Sequence, residues 1–385
     1  MYLSILIAVV GLYALHMATV AWGVHRVRRR PAPPTPDVWP RVSVVIAARN
    51  EADVIHDCID SVRACNYPAD RLEVVVVDDF STDRTAAIVR SLQPVSAREA
   101  PDASGDSAPD VRLVRMAEAM PDNDGGKPDA VAHGVAAARG TVILTTDADC
   151  TVAPGWIRSM VRRCTPETPF VAGPVRYRVD DYRWFDRLQA LEFAALIAYG
   201  AGTLGLGMPT FCNSANVAVR RDVRDRMADV PHGAAQDELL LQHIAYATDR
   251  DVTFNPDPDA LVTTDPAPDL RAYLQQRSRW ASMGPRYPHL VPRLSILLLW
   301  LTYVVLIGGV AGALLWPTWQ QPVVAALLVK FAADAVASIP LVKHFGQASL
   351  LRSFVPTQLL LLGSVPLIGL LGSVAPPEWK GRAID

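Results

Sequence analysis

Leu72–Asp83 reads LEVVVVDDFSTD, and Thr141–Cys150 reads TVILTTDADC. Each is a short apolar, β-branched run that ends in paired carboxylates. A run of this kind, bounded by turn signals, is a buried strand of a parallel sheet. Ligands of open α/β sheets bind just beyond the carboxyl ends of the strands. Asp78, Asp79, Asp147 and Asp149 are therefore expected to crowd one crevice. Carboxylates held together repel unless a divalent cation or ligand donors neutralise them. The expected site is metal-assisted and takes a phosphate-bearing substrate. One pair alone reads equally well as a cap on the next helix, a task Asp does well. Two pairs after two strands weigh toward function.

The pattern repeats outward from these runs. Val42–Ala48 reads as a first strand and Asp53–Ala64 as a helix, followed by the strand Leu72–Asp78 and the helix Thr82–Leu92. Val111–Arg115 and Thr141–Asp147 are further strands, and a helix opens at Lys127-Pro128, where Pro suits the first turn. Gln93–Asp110, rich in Ala, Ser, Pro and Asp, reads as a surface loop. This alternation predicts an α/β domain with a mostly parallel sheet and helices on both faces. No GxGxxG follows the first strand, which argues against a dinucleotide-binding half.

The chain has 385 residues, half of them hydrophobic, and a net charge of −2. Bulk charge favours no nucleic-acid partner, and no aromatic-basic signature for one appears. The five cysteines form no CxxC and read as reduced, mostly core thiols; the eight histidines show no metal-binding spacing. The excess hydrophobicity sits at the two ends. Tyr2–Val24 is long enough to span a bilayer, and HRVRRR follows at His25–Arg30. Basic residues stay in the cytoplasm, which predicts an outside N-terminus and a cytosolic domain next. A cleaved signal peptide would carry its positive charge before the apolar stretch. Residues 26–40 are expected to be a basic, Pro-rich linker and 41–293 the cytosolic domain. Leu294–Trp316, Val323–Val342 and Phe354–Val374 are three more expected spans within a membrane region 294–385. Lys330 and Asp334 share one helical face in the middle span and read as a structural pair. Leu188–Met208 is apolar but interrupted by Gln189 and Glu192, and an amphipathic helix lying in the interface is expected there. Lys380 and Arg382 leave the side of the tail open.

Six motifs run in a telling order: VSVVIAARNEA at Val42–Ala52, VDDFSTD at Val77–Asp83, GGK at Gly125–Lys127, DAD at Asp147–Asp149, QDE at Gln236–Glu238 and QRSRW at Gln276–Trp280. Flanked by membrane spans, this ordered set resembles the membrane-bound inverting glycosyltransferases of family 2. That group includes cellulose and hyaluronan synthases and ceramide glucosyltransferase. The resemblance implies a GT-A (nucleotide-diphospho-sugar transferase) fold carrying transmembrane α-helices.

It also implies roles. Ala48, Glu51, Asp78 and Asp79 would bind the base and ribose, since a carboxylate accepts a base N–H. Lys127 would contact the diphosphate as a point charge. Asp147 and Asp149 match the DxD motif and would hold Mg²⁺ or Mn²⁺. Asp237 matches the general base, with Gln236 in place of the usual acidic neighbour; a helix cap is its bland reading. Gln276, Arg279 and Trp280 match QxxRW, near the acceptor and the diphosphate. Asn213–Val219 resembles the segment beside the acceptor site. The expected donor is a UDP- or GDP-sugar, and the expected acceptor a lipid or a glycan at the inner membrane of the cell. A processive polysaccharide synthase is the alternative, and a catalytically silent nucleotide-sugar-binding scaffold the second.

Overall fold

The computed structural model describes residues 1–93, 109–119, 126–179, 183–224, 236–374, 378–379 and 382–383. The chain divides into two compact units. One holds residues 31–175, 213–265 and 378–385, and the other 1–30, 176–212 and 266–377.

The first unit is built on a seven-stranded sheet. Its strands are β1 (Val42–Ala48), β2 (Leu72–Asp78), β3 (Asp110–Arg115), β4 (Val142–Asp147), β5 (Phe170–Ala172), β6 (Val217–Arg220) and β7 (Val252–Phe254). The order is β3-β2-β1-β4-β6-β5-β7, parallel throughout except at β6. Every residue of β1 and β2 is buried, which explains their unbroken apolar sequences. Val45, Val75, Val77 and Ile143 pack against Ala130, Val131 and Val135 of the helix Lys127–Ala137.

Register positions the site. Ala48 lies level with Asp78, Asp78 with Arg115, and Ala47 with Asp147. The carboxyl ends of β1, β2 and β4 therefore form one rim. The chain leaves β1 toward β2 and β3, then returns to β4 on the other flank of β1. This reversal is the topological switch point where open α/β sheets bind ligands.

The second unit is helical. Among the described residues, four helices are long and apolar enough to cross a membrane: Tyr2–Arg29, Leu290–Leu315, Pro317–His344 and Ala348–Val374. Their surfaces carry exposed apolar side chains such as Ile7, Leu15, Leu314, Leu328, Val336 and Leu370. The first helix runs on through the basic residues to Arg29, so the expected linker begins later than residue 26. Nothing in HRVRRR breaks a helix, and Pro31 is the first residue that stops one.

Two further expectations are corrected. Residues 176–212 and 266–293 belong with the helical unit, so 41–293 is not one body. The stretch expected as an interfacial amphipathic helix lies in a helix Trp184–Gly205, and most of that helix is buried. Gln189 and Glu192 are buried too, because each finds a partner distant in sequence. Gln189 exchanges two hydrogen bonds with the Ala267 backbone, and Glu192 pairs with Arg277. This helix meets Tyr2–Arg29 at backbone distance. A Cβ added at Gly23, Gly202 or Gly205 would collide with the carbonyl of Gly202, Val20 or Gly23 respectively. Most of the Gln93–Asp110 loop and Lys380 lie outside the described residues.

Lys330 and Asp334 form a buried ion pair at 2.8 Å. Lys330 also donates to the hydroxyl of Tyr303 at 2.8 Å and to Gln358 Oε1, while Tyr13 donates to Asp334 Oδ1 at 2.5 Å. One polar cluster thus joins all four long helices. Removing one partner of such a pair strands a buried charge, at a cost of about 3–5 kcal/mol. Asp334→Leu should sharply lower the melting temperature in detergent, and Lys330→Met added to it should restore most of the loss. If Asp334→Leu melts like wild type, the pair has no structural role.

Candidate active site

The rim opens with two turns that brace each other. After β1 the chain reads Arg49-Asn50-Glu51, and after β2 it reads Asp79-Phe80-Ser81-Thr82-Asp83. Asn50 N–H donates to Ser81 Oγ, Asn50 Oδ1 accepts from Thr82 N–H, and Ala52 N–H donates to Asp83. Asp79 N–H donates to the Ala48 carbonyl at 2.8 Å, and the Arg49 guanidinium to the Asp79 carbonyl at 3.0 Å. Burial pushes the Asp83 carboxyl up, but hydrogen bonds from Thr85 and Ala52 outweigh it and hold Asp83 below its ordinary value. Asn50 and Phe80 both have φ of 53°. Asn tolerates this left-handed region, whereas a bulky aromatic rarely enters it. Non-glycine residues in such conformations cluster at ligand sites, where surrounding bonds hold them.

Asp78 and Asp79 are both fully buried at the end of β2. Asp78 Oδ1 accepts from Ser81 N–H at 3.3 Å, and its other oxygen lies 3.8 Å from Arg115 Nε. Asp78 thus helps shape the turn. Ala48 is buried and Glu51 half-buried beside these turns.

The second half of the site comes from β4. Lys127 Nζ lies 2.5 Å from Asp147 Oδ1 and 3.3 Å from Ser214 Oγ. Ser214 is held there because Thr145, inside β4, donates to its carbonyl. The Asn213–Val219 segment is thereby tied to the DAD strand. Asp149 is exposed toward solvent, yet crowded. Burial first and Asp147 second push its carboxyl above the ordinary value, and Lys127 pulls the other way. A carboxylate raised by a like charge is relieved by a cation. Among the described residues no group of three or more His, Cys, Asp or Glu converges to hold a metal. A pair of hard carboxylate oxygens is a donor type that suits Mg²⁺ or Mn²⁺, and Asp147 and Asp149 supply it. Behind them sit Cys58, whose thiol donates to the Asp147 carbonyl at 3.4 Å, and Cys150; all five cysteines are buried and reduced.

Asp237 is the second residue of the helix Gln236–Ala247 and is 6% exposed. Its Oδ1 lies 3.4 Å from Arg224 Nη1, an ion pair that no motif in the sequence announces. The side chain of Gln236 and all of Gly125 lie outside the described residues. Gln276, Arg279 and Trp280 stand on a helix of the other unit, Leu270–Ala281, which Asp269 caps by accepting from Ala272 N–H. Of the expected residues, β-strand register brings Ala48, Asp78, Asp79 and Asp147 to one rim, and Lys127 joins them by its bond to Asp147. Asn50, Phe80 and Ser214 stand inside motifs read from the sequence but carried no role of their own there, and Arg224 stands in none. An Asn flanked by charged residues at a strand end was a usable signal for the first; nothing local marks Arg224.

Residues 43–226 match the model of Glycosyl transferase family 2, and residues 142–361 that of Glycosyl transferase family group 2. A "Probable glycosyltransferase YdaM" of Bacillus subtilis is 28% identical over 249 residues, which cover 63% of this chain and 54% of that protein. A "Beta-monoglucosyldiacylglycerol synthase" of Synechocystis is 32% identical over 136 residues, covering 35% of this chain and 24% of that protein. The chain thus spans about half, or less, of these relatives' lengths. A solved structure, the mannosyltransferase PcManGT from Pyrobaculum calidifontis in complex with GDP-Man and Mn²⁺, superposes with a TM-score of 0.59. It is 22% identical, and the match covers 97% of this chain and 98% of that one. That likeness carries the fold: a GT-A sheet with apolar helices.

Proposed function

Because the chain belongs to glycosyltransferase family 2, we propose that it moves a single sugar from a UDP- or GDP-sugar to a lipid hydroxyl at the cytoplasmic face of a membrane, with inversion. The observation that carries this reading is the rim itself. Two braced turns flank a switch point, and Lys127, Asp147 and Asp149 stand beside it with the charge pattern a diphosphate and its cation require.

In this reading, Ala48, Glu51, Asp78 and Asp79 bound the base and ribose pocket. Asp147 and Asp149 hold a divalent cation, which when bound neutralises charge on the departing diphosphate. Lys127, a mobile point charge, exchanges its contact with Asp147 for a phosphate oxygen. Asp237 accepts the proton of the acceptor hydroxyl. That oxygen forms a bond to the anomeric carbon as the bond to the β-phosphate oxygen breaks, and the nucleoside diphosphate leaves. Gln276, Arg279 and Trp280 take the acceptor and diphosphate roles that the QxxRW resemblance gives them. A lipid acceptor is favoured because the long apolar helices among the described residues hold the chain at a membrane, and the monoglucosyldiacylglycerol synthase among the relatives supports the same choice.

Full-length protein in vesicles, given radiolabelled UDP-glucose or GDP-mannose with Mn²⁺, should put label into organic-extractable lipid carrying one sugar. Label in a water-soluble polymer would favour a processive synthase instead. Absence of both transfer and donor hydrolysis would leave a sugar-nucleotide-binding scaffold.

Orientation follows from HRVRRR after the first span. A membrane-impermeant thiol reagent should reach a cysteine engineered into the Gln93–Asp110 loop only after the cells are opened. Labelling in intact cells would put the catalytic unit outside and refute the assignment.

A further inference from the structure

The QRSRW helix carries an arginine that the motif leaves unspecified. Arg277 is 4% exposed, and its guanidinium forks onto Glu192, which is 5% exposed. Nε lies 2.9 Å from Glu192 Oε1, and Nη2 lies 2.5 Å from Oε2. The remaining nitrogen, Nη1, donates to Gln276 Oε1 at 2.5 Å and to the Tyr177 hydroxyl at 3.3 Å. Tyr177 in turn donates to the same Gln276 oxygen at 3.2 Å. The guanidinium also stacks over the Trp280 ring at 4.3 Å and the Tyr273 ring at 4.9 Å.

Three consequences follow. First, both lone pairs of Gln276 Oε1 are taken by donors, so the amide group left for a ligand is the NH₂. Second, the Trp280 indole rests on the guanidinium and stays 36% exposed, leaving part of the ring to meet a ligand. Third, two buried charges of opposite sign are costly unless their geometry is tight and their remaining polar atoms are satisfied. Both conditions are met here, and a planar fork does this where a lysine would not.

We propose that Arg277, locked by Glu192, is the positioning residue of this helix. It turns Gln276 so that the helix offers hydrogen-bond donors to substrate oxygens, and it supports Trp280 from behind. The inference rests on the reading that Gln276 and Trp280 face the acceptor and the diphosphate.

The test uses the full-length protein in vesicles of lipid extracted from the native membrane, with UDP-glucose or GDP-mannose as donor probe. Arg277→Lys keeps the charge but loses the fork and the stack. It should lower kcat for transfer about 10²-fold, the penalty of a small misplacement of a binding group, with donor affinity within twofold of wild type. Gln276→Glu keeps an oxygen toward Arg277 and Tyr177 but replaces the outward NH₂ by an acceptor, and should fall to a similar level. In a Gln276→Ala, Trp280→Phe background, Arg277→Lys should cost less than threefold more, since the groups it positions are already gone. A residue needed for folding alone would instead lower the melting temperature and cost the same in both backgrounds. Glu192→Gln carries the same expectations should Arg277→Lys fail to fold. Arg277→Lys or Glu192→Gln turning over within twofold of wild type, while Gln276→Ala is crippled, would overturn the positioning role. Normal turnover by both Gln276→Ala and Trp280→Ala would overturn the acceptor-site reading, and this inference with it.

Discussion

Asp149→Asn should leave the protein folded and membrane-bound and bring donor turnover to near background. Asparagine keeps the shape and removes the charge that a cation needs. A cation stabilising a leaving diphosphate contributes several kcal/mol, which corresponds to roughly a 10³-fold loss of rate. Burial and Asp147 already push the Asp149 carboxyl up, so ionising it in the folded, metal-free protein is harder than in a free carboxyl. Two further effects have definite signs. The raised value means that protons compete with the cation as pH falls, so activity drops on the acid side; more Mn²⁺ should move that limb to lower pH. A carboxylate raised above its unfolded value penalises the folded state once pH exceeds the folded value. Because Asp149 is exposed toward solvent, screening keeps that penalty small, and Asp149→Asn should melt no lower than wild type in EDTA at neutral pH while being inactive. Initial rates with and without EDTA, and melting curves of both proteins, test all of this. Turnover within twofold of wild type, in EDTA or in the variant, would remove the metal from the mechanism.

Asp237→Asn should lower kcat by roughly 10²–10⁴-fold, the usual worth of a positioned base. Donor affinity should stay within twofold, because Asp78, Asp79, Lys127, Asp147 and Asp149 are assigned to the donor. Its partner Arg224 complicates the simplest comparison. A lost helix cap costs about 1 kcal/mol, whereas a buried arginine left without its carboxylate costs about 3–5 kcal/mol. The single variant is therefore expected to be less stable as well as slow. Arg224→Met added to it removes the stranded charge and should return the melting temperature toward wild type without returning the rate. If turnover is normal in Asp237→Asn, or comes back with Arg224→Met, Asp237 is structural and Glu238 becomes the nearest candidate.

Parts of this architecture were legible in the sequence because their cause is local. β1 and β2 match the apolar runs residue for residue, since a doubly covered strand must be apolar along its length. The four long helices announce themselves by length and hydropathy. β5, β6 and β7 are three or four residues long, too short to show a period, and went unread. The helix Trp184–Gly205 was misread because the partners of Gln189 and Glu192 lie some 80 residues away. A polar side chain looks interfacial until its partner is known. The site divides in the same way. Carboxylates at strand ends follow from pattern, while the Arg224–Asp237 pair is created by tertiary approach.

The glycine contact between the first helix and Trp184–Gly205 has a temporal side. Gly23 meets Gly202 and Gly205 only after roughly 180 intervening residues have left the ribosome. At 5–20 residues per second, that delay is on the order of ten to thirty seconds. Through that interval the helix Tyr2–Arg29 waits without the partner that fills its glycine groove. A slow codon stretch before residue 184 lengthens the exposure, and a foreign first helix of equal length supplies attachment but no groove to close.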